Sequence, residues 1–146
     1  MAYPPLVQYA TEQEYREHFE RVYCSGPIAC FDQITVRFRK HQFDHCFFES
    51  SNRDKVKDQF STLRAERIDW IAAALQDPNA DLYAGWDNTR KRYDHSRRVV
   101  LVVQNYVVVI RLTGPGKADF VTAYVADNQR TLTRLRQGQK WNPSCA

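Results

Sequence analysis

Apolar and polar positions change period several times along this chain, and each change marks an element. In residues 11–24, TEQEYREHFERVYC, the side chains Tyr15, Phe19, Val22 and Tyr23 form a stripe at helical spacing. Thr11 stands before two acids as an N-terminal cap, and Gly26–Pro27 ends the helix. ITVRFRK then alternates, with Ile34, Val36 and Phe38 on one face and Thr35, Arg37 and Arg39 on the other, as in a half-buried strand. His41 and His45 follow, and they share a side whether the chain stays extended or turns helical, because spacings of two and four residues both align them. From Val56 to Leu75 the period is helical again: at about 100° per residue, Val56, Phe60, Leu63, Ile68, Trp70, Ile71 and Leu75 fall in one arc. The pattern predicts a single helix, capped by Asn52 or Asp54 and stopped near Asp77 by Pro78. Arg64 and Arg67 lie inside its apolar arc, while Asp58, Thr62, Ala65 and Asp69 take the outer side.

The second half reads as strands. LYAGW suggests a short one, and DNTRKRYDHS a mobile basic loop. RVVLVVQ and YVVVIRL are rich enough in valine and isoleucine to be central strands, with Gln104 and Asn105 at a tight turn or bulge. TGPGKA is a hairpin loop. DFVTAYVA alternates again, placing Phe120, Thr122 and Tyr124 on one face and Val121, Ala123 and Val125 on the other. Asp127 or Asn128 caps a closing basic helix, NQRTLTRLRQ, before Gly138. The expectation is an α+β fold in one domain, residues 1–146, with N-terminal helices packed on a four- to five-stranded antiparallel sheet and a short C-terminal helix.

Composition narrows the function. A chain of 146 residues is large enough to bury a core without staples. The longest apolar stretch, Val99 to Ile110, is interrupted by Gln104 and Asn105 and is too short for a membrane span. No basic start followed by an apolar run marks export, so a cytoplasmic protein with reduced thiols is expected. Cys24 and Cys30, with five residues between them, do not make a zinc knuckle with His41 and His45, and no metal or cofactor is expected. The net charge is only +4, but its distribution is uneven. Arg37, Arg39 and Lys40 cluster, and RKRYDHSRR supplies Arg90, Lys91, Arg92, Arg97 and Arg98 with His95, a pattern that fits either a phosphate-binding surface or an ordinary solvated loop.

The polar residues on otherwise apolar elements are His41 and His45, Arg64 and Arg67, and Thr122 and Tyr124. Imidazoles exchange protons near neutral pH, and guanidiniums match phosphate oxygens and hold developing charge. Without a carboxylate cluster, this set suits a phosphodiester better than a carbonyl or sugar. RNA carries its own nucleophile, the 2′-hydroxyl, so an acid, a base and cations suffice. Asp44, Glu49 and Glu66 do not form the acidic set a metal-dependent DNase would need. Structural roles compete at each position: an inward Arg64 could pair with Asp32 or Asp119, and Thr122 and Tyr124 are good strand formers. Trp70 and Trp86 suit a core, whereas Tyr93 and Trp141 suit either base stacking or an ordinary surface.

HQFDHCFFES, FSTLRAERIDWIAAALQDP and YVVVIRLTGPGKADFVTAYVAD, taken in that order, resemble the phage-associated branch of the barnase/EndoU/colicin/RelE-like RNase superfold, over residues 34–141. The resemblance implies a metal-independent endoribonuclease that binds RNA, tRNA among the candidates, across its sheet. It further implies a toxin-type activity neutralised by a cognate antitoxin or immunity protein. On this likeness His41 or His45 is the helix-side histidine, with His45 favoured, Arg64 or Arg67 the phosphate-binding arginine, and Thr122 the late-strand hydroxyl, with Tyr124 beside it. The alternative is a non-catalytic member of the same fold that binds RNA or protein.

Overall fold

The computed structural model describes residues 3–49, 59–87, 90–126 and 128–137. The suggested caps Asn52, Asp54 and Asp127, with Val56, Asp58, Gly138 and Trp141, lie outside them, as does the side chain of Trp86. The described residues form an α+β fold of five helices and two sheets. The first helix, α1 (Glu12–Val22), is capped by Thr11, whose hydroxyl accepts from the Glu14 amide. Short strands β1 (Ile28–Ala29) and β2 (Thr35–Arg37) lead to α2 (Gln42–Phe47), so the two-histidine stretch is helical. A two-stranded ribbon of β3 (Phe48–Glu49) and β4 (Gln59–Phe60) precedes α3 (Thr62–Ala65) and α4 (Trp70–Leu75). Strands β5 (Asp81–Asp87), β6 (Arg92–Leu101), β7 (Tyr106–Gly114) and β8 (Lys117–Val125) follow, and α5 (Gln129–Gln137) closes the chain. Among the described residues no helix is long and apolar enough to cross a membrane.

The main sheet is six-stranded, in the order β1-β2-β8-β7-β6-β5, and curls toward a half-barrel. It is mixed rather than antiparallel as expected, because β2 joins the outer edge of β8 in parallel, Arg37 opposite Asp119. Such a pairing needs a long connection, and here the whole middle of the chain supplies it. The basic segment expected to be a loop is largely strand: from Arg92 onward it belongs to β6 and pairs with β5.

The single helix expected from 56 to 77 is broken. Ser61 caps α3, and residues 66–69 form turns before α4. The buried Tyr23 hydroxyl donates to the Ile68 carbonyl at 2.5 Å and accepts from the Ala72 amide at 3.1 Å, inserting itself where a helical bond would have closed. The neighbouring carbonyls are also taken from outside, Glu66 by the Val7 amide and Arg67 by the Tyr106 hydroxyl. Leu63, expected on the buried arc, is therefore 48% exposed, and Phe60 pairs with Phe48 in the ribbon.

One sheet face carries the main core, where Val36, Val100, Val108, Ile110 and Phe120 meet α1, α2 and α4. Phe19, fully buried, packs against Phe38, Phe43, Phe47 and Phe120, a burial that contributes about 1.5–3 kcal/mol. The opposite face is only partly covered: Leu132 and Leu135 of α5 lie over Tyr83, Val99, Leu101 and Val107. Asn128, one of the two suggested caps, accepts from the Arg130 amide to start α5.

Candidate functional site

The half-open sheet face and α2 together form a groove. The spacing of four in HQFDHCF divides α2 into distinct faces. Phe43 and Phe47 enter the core. Gln42 and Cys46 face the edge of β8 beyond the point where β2 stops, donating from Gln42 Nε2 to the Phe120 carbonyl and from Cys46 Sγ to the Ala123 carbonyl. Asp44, outward, takes Arg16 of α1 at 2.8 Å. His41 and His45 are left pointing over the edge into the groove, whose walls they line.

The groove has two lobes that share His45, Arg97 and Val121. One lobe, of about 370 Å³, has an apolar floor of Val99, Val109, Val121 and Leu135 beneath Thr122, Tyr124 and Thr131, with Arg130 and Arg134 on its α5 side. The other, of about 320 Å³, is polar and is lined by Arg39, His41, Arg97, Arg111 and Asp119.

Two bulges aim these side chains. In β8 the pairing passes from Thr122 opposite Val109 to Phe120 opposite Ile110, leaving Val121 as an extra residue. Strict alternation would have put Phe120, Thr122 and Tyr124 on one face. The bulge instead sends Phe120 into the core and leaves Thr122 and Tyr124 on the groove side. In β6, Ala84 pairs with Arg98 but Gly85 with Asp94, so residues 95–97 bow away from β5. A Cβ built on Gly85 would stand 2.8 Å from Arg97 Cβ, so only glycine leaves room for Arg97 there. Asp94 ties the bow by accepting from the Ser96 hydroxyl and amide, which hold its carboxyl below the usual carboxylate range.

Arg97 faces Arg111 across β6 and β7, and Arg111 faces Asp119 across β7 and β8. Asp119 is paired with Arg39 at 3.0 Å. The carboxylate is thus largely neutralised from the α2 side, and the polar lobe keeps an excess of positive charge suited to an anion.

Of the residues expected to carry chemistry, the structure brings together His41, His45, Thr122 and Tyr124. Arg64 lines neither lobe. It donates from Nη1 to the Cys46 carbonyl at 3.2 Å, beside His45 in sequence, and it lowers the Tyr124 hydroxyl pKa against the larger upward push of burial. Arg67 is directed away, to Glu66 at 3.2 Å, the Leu63 carbonyl and the Trp70 ring. Asp32, offered as a partner for Arg64, pairs with Arg98 instead.

No family model, curated protein or solved structure matches this chain. The site therefore rests on its own geometry. Among the residues expected to bind RNA, Arg39 and Arg97 line the groove, and Arg37 lies on the same face. Lys40, Arg90, Lys91 and Arg92 are exposed, with Lys40 3.9 Å from Glu20. Arg98 must be removed from that set, since it is fully buried on the core side and bonded to Asp32 at 2.5 Å. Trp70 is buried as expected, and Tyr93 donates its hydroxyl to the Arg134 carbonyl.

Sequence reasoning missed Arg111, Arg130 and Arg134. Arg111 had a signal, a lone charge closing a run of five apolar residues in β7. The arginines of α5 had only the general basicity of that helix, because what α5 covers is decided by the sheet's curl.

Proposed function

We propose that the groove binds and cleaves RNA without a metal, as an endoribonuclease of the toxin type. The observation that carries this reading is the junction of the two lobes, where His45 and Arg97 line both, His41 lines the polar one and Thr122 the apolar one. A phosphodiester seated at the junction would lie between imidazoles from α2 and guanidiniums from β6 and β7. One histidine takes the proton of the 2′-hydroxyl as the 2′-oxygen–phosphorus bond forms. The other gives a proton to the 5′-oxygen as its bond to phosphorus breaks, leaving a 2′,3′-cyclic phosphate and a 5′-hydroxyl. Arg97, with Arg39 and Arg111 behind it, balances the charge gathering on the non-bridging oxygens, the part the resemblance gave to Arg64 or Arg67. Thr122 supplies a neutral donor, and Tyr124 keeps its proton. Arg64 then serves the reaction by fastening α3 to the end of α2.

The test is cleavage of total RNA by the purified protein in the presence of a chelator, with product ends identified by mass. Cyclic phosphate ends, lost by 10²-fold or more in His45→Ala, are expected. RNA binding without cleavage, unchanged in His45→Ala, would replace this reading with the non-catalytic one.

A further inference from the structure

Beyond the histidines the same sheet face carries a third cavity, of about 270 Å³, between β2 and the β7–β8 turn. Its walls include Thr35 and Arg37 of β2, Thr113, and Lys117, and it meets the polar lobe at Asp119, which lines both. Thr35 is in register with Lys117, and Arg37 with Asp119, so these four side chains share the groove face. The row is continued by Arg111 and Arg97, placing Arg37, Asp119, Arg111 and Arg97 on four successive strands. The acid in that row is already paired with Arg39. Arg37 and Lys117 are exposed, and two hydroxyls stand beside them.

We infer that this cavity is a second phosphate subsite, built from Arg37, Lys117, Thr35 and Thr113, which holds a phosphate of the same RNA strand several nucleotides from the reacting one. The inference rests on the nuclease reading for the identity of the strand. With Val121 bulged out, four ladder steps of about 3.4 Å put Thr122 and Lys117 about 14 Å apart along β8. A dinucleotide reaching the histidines does not extend so far, whereas an oligonucleotide does. A single strand is favoured over a duplex, because Arg37, Arg111 and Arg97 stand in one line across successive strands, suited to tracking one sugar–phosphate backbone. The substrate class is therefore an extended single strand, with affinity that grows with length up to the point where both sites are filled.

The experiment uses a labelled 12-nucleotide 2′-O-methyl-uridine strand, which lacks the nucleophile and reports binding alone. Its affinity for the full chain is measured by fluorescence anisotropy over a range of salt, for the native protein, the double variant Arg37→Gln/Lys117→Gln, and Arg21→Gln as a charge control on α1. Loss of two phosphate contacts should flatten the slope of log affinity against log salt by about 1.4 and weaken binding about tenfold at low salt, with no change for Arg21→Gln. Cleavage of a dinucleotide should be the same in the native protein and the double variant, while KM for a 12-nucleotide RNA rises in the variant. An unchanged slope, or equal losses on dinucleotide and long substrates, would overturn the second subsite while leaving the nuclease reading intact. A flattened slope in a protein that cleaves nothing would keep the subsite and overturn the nuclease. Should the double variant not fold, Arg37→Gln and Lys117→Gln are taken singly, each expected to remove about 0.7 of slope.

Discussion

Gln42 offers the sharpest test of how the groove is built. It is 8% exposed, and its amide performs two tasks at once: Oε1 accepts from the Arg39 amide at 2.8 Å, and Nε2 donates to the Phe120 carbonyl on the open edge of β8. Gln42→Leu keeps the volume and removes both bonds. Each bond is worth about 1 kcal/mol net, and each partner left buried and unpaired costs about 1–3 kcal/mol. Because the Cys46 thiol and the two phenylalanines still hold α2, a loss of about 2–4 kcal/mol is expected rather than unfolding, read as a lower urea midpoint at constant slope. Gln42→Glu separates the two bonds. An ionised carboxylate still accepts from Arg39 but repels the Phe120 carbonyl, so the variant should be weak at neutral pH. As the pH falls and the carboxyl gains a proton it becomes a donor again, and the deficit relative to the native protein should shrink. On the proposed nuclease reading, RNA cleavage should fall more than stability accounts for, since a shift of about 1 Å in catalytic groups can cost about 10²-fold. A Gln42→Leu midpoint within about 0.5 kcal/mol of native, with cleavage intact, would refute the docking of α2 described above.

Other expectations follow from the same contacts. Asp32→Ala strands the buried Arg98 guanidinium and should cost about 3–5 kcal/mol, whereas the pair Asp32→Leu/Arg98→Met should recover most of it. Neither should alter the salt dependence of RNA binding. Gly85→Ala should push Arg97 aside through the 2.8 Å approach, lowering cleavage while moving the melting temperature little if β6 can yield. Burial, against a smaller opposing effect from Arg64, raises the Tyr124 phenol above the ordinary 10.0. Its folded-state pKa exceeds the unfolded one, so its share of stability is whole below pH 10.0 and is lost as the pH climbs through the raised value. Alkaline unfolding of Tyr124→Phe should begin at higher pH than that of the native protein, with phenolate absorbance as the readout.

Much of the architecture was legible where one residue decides a local event. Thr11 starts α1, Gly116 with φ of +68° turns the last hairpin, and Gln104 and Asn105, with φ of +55° and +61°, turn the one before it. The spacing of His41 and His45 was enough to align them before helix or strand was known. What failed was long-range. Nothing in FSTLRAERIDWI reveals that Phe60 will pair with Phe48 so that a new helix starts at Ser61, or that Tyr23, from α1, will break the helical ladder at Ile68, and these two events reassign Leu63, Arg64 and Arg67. The Val121 bulge is similarly silent in a stretch that alternates well enough on paper. The buried Arg98 was read as surface because its neighbours are basic, although its pairing with Asp32 spans 66 residues of sequence.

The upper edge of β8 has one more consequence. Strands that end a sheet invite others to add to it, and proteins blunt such edges to stay apart from their copies. Here α2 is the stopper: the carbonyls of Phe120 and Ala123, which a stranger's amides would otherwise engage, are already claimed by Gln42 and Cys46. The helix that presents the histidines is thereby also a guard against self-polymerisation, and a chain that loses its grip there should become sticky.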